Sequence, residues 1–338
     1  MKRRAFLRTT LGVGVLGALS AAGPASGTAQ LASPPTVRVL HWRERMLLGF
    51  GTKLSLRAAH PDGARADAAL DAAVGTIRAI EAQMSLFRPD SALARLNREG
   101  VLNAPPADLV AILQSAQAIS ARSGGAFDVT VQPLWDAFDA ARRAGRLPSA
   151  DAIRAARARV GWEALHVSAE RIRFLQPGMG VTLNGIAQGF AADRVRGELQ
   201  RFGIEHALVN TGEWSALGHS EGGGAWTLGI ADPRDAQALI ARLAMDGRAI
   251  ATSADNESAF SDDFRHHHIF DPHTGYSPPQ IASVTVAAGS CALADALTKV
   301  IFVKGVADGL AVARAWEVDA LIVDKAGQWH ATDGLRTL

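Results

Sequence analysis

Few stretches of this chain have less conformational freedom than Asp271-Pro272-His273-Thr274-Gly275. Pro272 fixes φ, Gly275 admits φ > 0, and Asp271 and Thr274 can hydrogen-bond the turn's own amides. The strand-like run His268-Ile269-Phe270 leads into it. A turn specified at so many positions holds its neighbours rigidly, which suits a reactive site and suits a plain hairpin equally well. The preceding triplet His266-His267-His268 invites a metal reading. Adjacent strand residues point to opposite faces, so three consecutive imidazoles do not converge on one ion, and two of the three are expected in solvent.

Along the rest of the chain, helical and strand periodicities mix without a regular βαβ repeat. Leu54 and Leu56 share one face of a strand expected over 50–58. Leu70, Val74, Ile77, Ile80 and Met84 recur at three and four, predicting a helix over 66–87. A second helix is expected over 106–122, ended by Gly124-Gly125, and a short Arg-rich one over 150–160. Strands are expected at 165–167, 172–175, 180–183, 207–210, 225–230, 248–252 and 320–323. Helices are expected at 186–202, opened by Asn184-Gly185, and at 295–303 and 305–316. This order predicts an α+β fold with mixed sheets and packed helices. At 338 residues and 48% hydrophobic content, the chain can bury a large core as one big domain or two interlocked lobes.

The N-terminus reads as an export leader over 1–29. Lys2, Arg3, Arg4 and Arg8 precede an uncharged run from Thr9 to Ala22 and then small residues. Arg3-Arg4-Ala5-Phe6-Leu7-Arg8 looks like a twin-arginine signal, which implies a periplasmic destination. The apolar run is short and rich in Gly and Ala, too weak for a good membrane span. No Cys stands near the cleavage zone, so a lipid anchor is not expected. Residues 30–38 read as a linker, and 39–338 as the functional domain. The formal charge of +2 comes from the leader: without its four cations, 31 basic residues face 33 acidic ones, giving −2. The mature chain therefore has no basic excess to suggest nucleic acid. Cys291 is the only cysteine, so no internal disulfide can form, and its apolar surroundings suggest a small core residue.

Several blocks, in order, resemble the ApbE family of FAD:protein FMN transferases. They are Gly49-Phe-Gly-Thr52, Met84-Ser-Leu-Phe-Arg-Pro-Asp-Ser91 with Leu96-Asn97, and Gly125-Ala-Phe-Asp-Val-Thr-Val-Gln-Pro-Leu134. After them come Leu183-Asn-Gly-Ile-Ala-Gln-Gly-Phe-Ala-Ala-Asp193, Val209-Asn-Thr-Gly212, Ala251-Thr-Ser253, the 268–275 turn, and Ser283-Val-Thr-Val286 leading to Ala294-Asp-Ala-Leu297. The resemblance runs from about Leu40 to Gly305. It implies a fold with an FAD and metal cleft between two interlocked lobes. It also implies a reaction that moves FMN from FAD to a Thr or Ser hydroxyl of another protein, an electron-transfer flavoprotein, with release of AMP. Such phosphoryl chemistry needs positioned phosphates, charge neutralisation and a group to orient or deprotonate the hydroxyl.

The family pattern assigns expected roles. Phe50, Phe87, Ala126, Phe127, Asp128, Thr182 and Gln188 fall at positions along the flavin. Gly185, through a main-chain oxygen, and Asp295 fall at the Mg²⁺ site. The glycine-bearing helix start at 183–189 has free N–H groups expected to attract phosphate, or it is a strand-to-helix turn with small residues for packing. His268 is the candidate to orient substrate or move a proton. Asp271 either aids the acceptor hydroxyl or holds the turn, and the turn is favoured.

This chain departs from the pattern at five places, the first being Phe50 where the family has Met. Thr182 and Gln188 replace the usual Asp and Lys, and Glu213-Trp214 replace a Gly and an Asp. Lys299 stands where a metal-binding Thr is usual, with Thr298 one position earlier. A Lys ammonium has no lone pair for Mg²⁺. Three readings follow: Thr298 substitutes as a ligand, Lys299 itself brings positive charge to the phosphates, or metal binding is lost. A plainer reading makes Asp295 a helix N-cap with Lys299 as its i,i+4 partner. These departures keep two alternatives open, a non-catalytic FAD-binding maturation factor and an FAD pyrophosphatase. Gly218-His-Ser-Glu-Gly222 matches a hydrolase nucleophile elbow, but that elbow needs a helix directly after the serine. Here Gly222-Gly223-Gly224 and a strand pattern follow, so Ser220 is not a nucleophile.

Overall fold

The computed structural model describes residues 39–235 and 237–338. The expected leader and linker lie outside the described residues. In chain order the elements are β1 His41–Gly49, β2 Thr52–His60, α1 Gly63–Met84, α2 Ala92–Glu99, β3 Val101–Asn103, α3 Ala107–Ser123, α4 Gln132–Arg143 and α5 Ala150–Arg157. A short 3₁₀ turn leads to β4 Leu165–Val167, β5 Arg171–Phe174, α6 Ala187–Arg201, β6 His206–Asn210, β7 Trp214–Leu217, β8 Trp226–Ala231 and β9 Leu239–Met245. The chain closes with β10 Ala249–Ala254, β11 Ile281–Ala288, α7 Cys291–Ala315, β12 Asp319–Asp324 and β13 Trp329–Ala331.

One eight-stranded sheet, ordered β1-β2-β6-β7-β10-β11-β12-β13, organises the molecule. A three-stranded sheet, β3-β5-β4, and the β8-β9 hairpin complete the strands. Every strand pair is antiparallel, and the helices sit apart from the strand ladders, so the fold is α+β as expected. Leu54, Leu56 and Ala58 of β2 pack on Leu70, Ala73 and Ile77 of α1 and on Ala192, Val195 and Leu199 of α6. All eight residues of β11 are buried because both faces are covered. Val284 and Val286 join the cluster containing Leu297 and Ile301 of α7, while Ala287 joins Trp226, Leu228 and Leu243 of the hairpin.

Some expected elements change. Residues 180–183 form no strand. Their backbone bonds go to the Asn97 side chain, which donates to the Val181 carbonyl and accepts from the Val181 N–H, both at 2.8 Å, and to Val129, which accepts from the Thr182 N–H at 2.8 Å. The two helices expected at 295–303 and 305–316 are present within α7, the first starting earlier, at Cys291, and the two meeting at a kink where the backbone leaves helical geometry at Gly305 (φ 78°). The positive φ there favours glycine, and a Cβ would also press on the Gln280 side-chain amide, with Oε1 2.5 Å away. Helices α2 and α4 and strands β1, β3, β7, β9, β11 and β13 are additional. The segment 218–224 is a loop joining β7 of the large sheet to β8, which pairs with β9 instead, and in it Ser220 Oγ donates to the Gly224 carbonyl at 3.0 Å.

The histidine triplet is also corrected. Residues 268–270 are not a strand, and His267 is fully buried, with its ring 5.8 Å from that of Phe302 on α7. The Ile269 N–H approaches Nδ1 at 3.4 Å, and Nε2 faces the Pro278 carbonyl at 3.3 Å, so the neutral ring carries its proton on Nε2. His266 and His268 are half-buried. Burial, helped by the charge of Lys325, lowers the His267 pKa from 6.5 to about 4. The unfolded chain therefore binds a proton that the folded chain refuses between those values. The associated stability is complete above pH 6.5 and declines as pH falls towards 4, by roughly 3 kcal/mol. Urea unfolding of wild type and His267→Gln at pH 7.5 and 4.5 should show a clearly smaller acid-side decline in the variant; equal declines would refute this.

Candidate functional site

Two helices meet backbone to backbone at the centre of the molecule. A Cβ on Gly189 of α6 would lie 2.6 Å from the Cys291 carbonyl carbon, at the start of α7, so only glycine permits the approach. Asp193, one turn further along α6, fastens the contact. It accepts from Ser290 Oγ (2.7 Å), the Cys291 N–H (2.8 Å) and the Ala292 N–H (3.0 Å), satisfying the otherwise unpaired first amides of α7. Ser290 is the N-cap of α7, with Oγ accepting from the Leu293 N–H, so Asp295 is not a cap.

The crossing delivers Asp295 to the start of α6, where Oδ2 accepts from the Gly189 N–H at 3.2 Å. Its Oδ1 is ion-paired with Lys299 Nζ, which also donates to the Asp295 carbonyl at 3.0 Å. The Lys299 chain lies over Gly185: a Cβ there would meet Lys299 Cε at 3.3 Å and Phe127 Cε2 at 3.5 Å. Gly185, Asp295, Lys299 and Phe127, far apart in sequence, thus share one place. The helix start is less open to phosphate than expected. The Ile186 and Ala187 N–H groups donate to the Leu183 carbonyl at 3.0 and 2.8 Å, and the Gly189 N–H is taken by Asp295.

The turn between β6 and β7 forms a second wall. Thr211 Oγ1 donates to the Gln188 carbonyl at 2.8 Å. The Gln188 amide lies against Gly212, where φ is 101° and a Cβ would sit 2.6 Å from Gln188 Cδ. Next in the chain, the Glu213 carboxylate is buried and accepts from the Thr252 N–H at 3.0 Å. Burial pushes its pKa well above the usual carboxylate range, the nearby Asp295 charge pushes it further, and Lys299 opposes both. Sequence reasoning marks Glu213 only as a departure from pattern. Its signal was a lone charge within the apolar stretch 207–217.

The expected flavin-side residues separate. Ala126 and Phe127 are buried, and Phe127 faces Gly185. Asp128 is occupied by its own segment. Its Oδ1 accepts from the Thr130 N–H (2.7 Å) and hydroxyl (2.6 Å), and Oδ2 from the Trp162 N–H (3.0 Å). Burial raises its pKa despite those bonds. Asp128 therefore holds the loop behind Phe127. Thr182 Oγ1 accepts from the Asn184 N–H at 3.3 Å, shaping the turn into Gly185. Phe50 is half-buried at φ 49° beside Gly51 at φ 75°, a two-residue hairpin turn in which a bulky residue is strained. Phe87 stands 78% exposed, outside the core. Asp271 does hold its turn: Oδ1 accepts from the His273 N–H at 2.9 Å, and its carbonyl from the Gly275 N–H at 2.8 Å. His268 Nδ1 faces the Ser258 carbonyl at 3.3 Å.

The oxygen donors do not fit Mg²⁺ as arranged. Both Asp295 carboxylate oxygens already accept from Gly189 and Lys299. Thr298 is fully buried, its hydroxyl 2.6 Å from the Asp295 carbonyl and 2.8 Å from Ser253 Oγ on β10, so it is committed to the core side of α7 and does not replace a ligand. Among the described residues, no group of three or more His, Cys, Asp or Glu is placed to hold a metal ion. Nor is any described helix long and apolar enough to cross a membrane.

Comparison with known proteins gives this geometry a context. The model of the ApbE family matches residues 50–322. An FAD:protein FMN transferase of Klebsiella pneumoniae is 36% identical over 220 residues, covering 63% of this chain and 68% of that protein. One from Vibrio cholerae is 34% identical over 252 residues, covering 72% and 75% respectively. The solved flavin transferase ApbE from Vibrio cholerae aligns with a TM-score of 0.76 at 26% identity, covering 88% of this chain and 98% of that one.

The helix crossing makes a sharp demand on one atom. Gly189→Ala is expected to lower unfolding free energy by about 2–3 kcal/mol, because backbone on the partner helix cannot yield as a side chain can. Gly197→Ala, on the same helix with open space at its Cβ position, should be neutral or stabilising in the same urea titration. Equal effects at the two positions would contradict the crossing.

Proposed function

This chain belongs to the ApbE family, and on that premise we propose that it is an exported FAD:protein FMN transferase. FMN passes from FAD to a Thr or Ser hydroxyl of an electron-transfer protein. The acceptor oxygen bonds to the FMN-side phosphorus, the bond from that phosphorus to the AMP oxygen breaks, and AMP leaves. The observation that carries the reading is the meeting of Gly185, Phe127, Asp295 and Lys299 at the start of α6. Gly185 exposes backbone, Phe127 offers an apolar face for a flavin ring, and the Lys299 ammonium meets phosphate charge. Phe50 and Gln188 close the same region in this reading.

His268 is assigned the proton from the acceptor hydroxyl. With Nδ1–H directed at the Ser258 carbonyl, Nε2 is the basic nitrogen. Asp271 serves by holding the turn that follows. No step is given to Mg²⁺, because the Asp295 carboxylate and the Thr298 hydroxyl are already engaged by Lys299, Gly189 and Ser253. The leader-like sequence at 3–8 supports twin-arginine export to the periplasm and an acceptor located there.

Purified protein incubated with FAD and an exported electron-transfer protein of the same organism should add the mass of one FMN to the acceptor and release equimolar AMP. His268→Ala should slow transfer roughly 100-fold while FAD affinity stays within a few-fold. Tight FAD binding without any product would favour a non-catalytic maturation factor. FMN and AMP appearing without acceptor would mark a pyrophosphatase.

Phe50→Asn is expected to separate folding from binding. Asn-Gly suits a hairpin turn with both φ positive, a gain that offsets the packing Phe50 gives up against the core, so stability should change by less than about 1 kcal/mol, while loss of the ring weakens FAD binding. Unchanged FAD affinity would remove Phe50 from the flavin site.

A further inference from the structure

We infer that Lys299 is a resident cation of this site, so that the chain holds a pyrophosphate ligand without recruiting a divalent metal ion. The inference deepens the transferase reading and rests on it. An ammonium has three N–H donors. Among the described residues, Lys299 Nζ spends two of them on Asp295, one on the carboxylate and one on the main-chain carbonyl 3.0 Å away. The third has no protein partner. The side chain is 16% exposed and lies against Gly185, where no Cβ stands between it and an incoming ligand.

The anchoring is rigid. Asp295 is almost fully buried, its second oxygen is fixed by the Gly189 N–H, and Gly189 is pinned to Cys291 by the helix crossing. Lys299 is therefore a positive charge on a preorganised mount rather than a mobile surface lysine. The same bonds engage both carboxylate oxygens of Asp295, the one acidic group this site would offer Mg²⁺, an ion that requires oxygen ligands in near-octahedral geometry. At the start of α6, the Gly189 N–H is filled by the Asp295 carboxylate, and the Ile186 and Ala187 N–H groups by Leu183. Of these groups, the ammonium is left to face the ligand's phosphates. Charge-assisted bonds of this kind to phosphate are short and strong.

The test is FAD binding by the full mature chain, followed by flavin fluorescence and calorimetry in EDTA and in excess Mg²⁺. Wild type should bind FAD with dissociation constants within about threefold in the two media. Lys299→Met should weaken binding about ten- to a hundredfold in both, with Lys299→Arg recovering much of the loss. Lys299→Thr, which frees Asp295 and supplies a hydroxyl, should bind Mn²⁺ by electron paramagnetic resonance and regain FAD affinity only with metal, while wild type leaves the Mn²⁺ signal unchanged. FAD binding by wild type that collapses in EDTA, stoichiometric Mn²⁺ uptake by wild type, or a folded Lys299→Met that binds FAD normally would each overturn the inference. Metal-dependent FAD binding by wild type would leave the transferase reading intact. Absence of FAD binding in every medium would end both.

Discussion

The contact between Gly189 and Cys291 determines almost everything that follows in this site. Two helix backbones touch there because one residue has no side chain, and Asp193 locks the touch by capping the amides of the second helix. Helix geometry does the rest. Four residues on from Cys291, Asp295 arrives over the start of α6, and four residues beyond that its ammonium partner arrives over Gly185. The large antiparallel sheet and its buried β11 serve as the platform against which α7 is held.

Around this crossing the chain has gathered an unusual charge set. Glu213 and Asp295 are both buried, and Lys299 is the cation that interacts with each. Two buried carboxylates beside one ammonium do not both ionise freely, and Glu213, which has a single backbone donor from Thr252, is the one displaced upward. Asp295 keeps its charge partner because Lys299 is tethered four residues away on the same helix. A buried ion pair of this kind contributes little to net stability compared with apolar packing, but it fixes where a charge can be. In a cleft that must meet phosphates, fixed position is the useful property.

Much of this was legible beforehand where local rules operate. The α+β class followed from mixed periodicities, and the Leu54 and Leu56 face, the role of Asp271 in its turn and the rejection of Ser220 followed from spacing and turn chemistry. The convergence of Gly185 with Asp295 was legible only through family resemblance. What misled were residues whose partners lie far away in sequence. The segment 180–183 looked like a strand, but its donors and acceptors are matched by Asn97 and Val129. Two of the three histidines at 266–268 were expected in solvent, but His267, packed beside Phe302, is completely buried.

By itself the sequence determined which residue types were available: a glycine-bearing helix start, a carboxylate and an ammonium one turn apart, and a rigid turn behind His268. The i,i+4 pairing of Asp295 with Lys299 needed only helical pitch, and so could be read in one dimension. Only the tertiary structure decided which lone pairs and protons remained uncommitted. Thr298 faces Ser253 and the core, Asp128 is consumed by Thr130 and Trp162, and the Gly189 amide is filled by Asp295. Each of those outcomes depends on hydrogen bonds that act over about 3 Å and join residues whose separation in the chain says nothing of their separation in space.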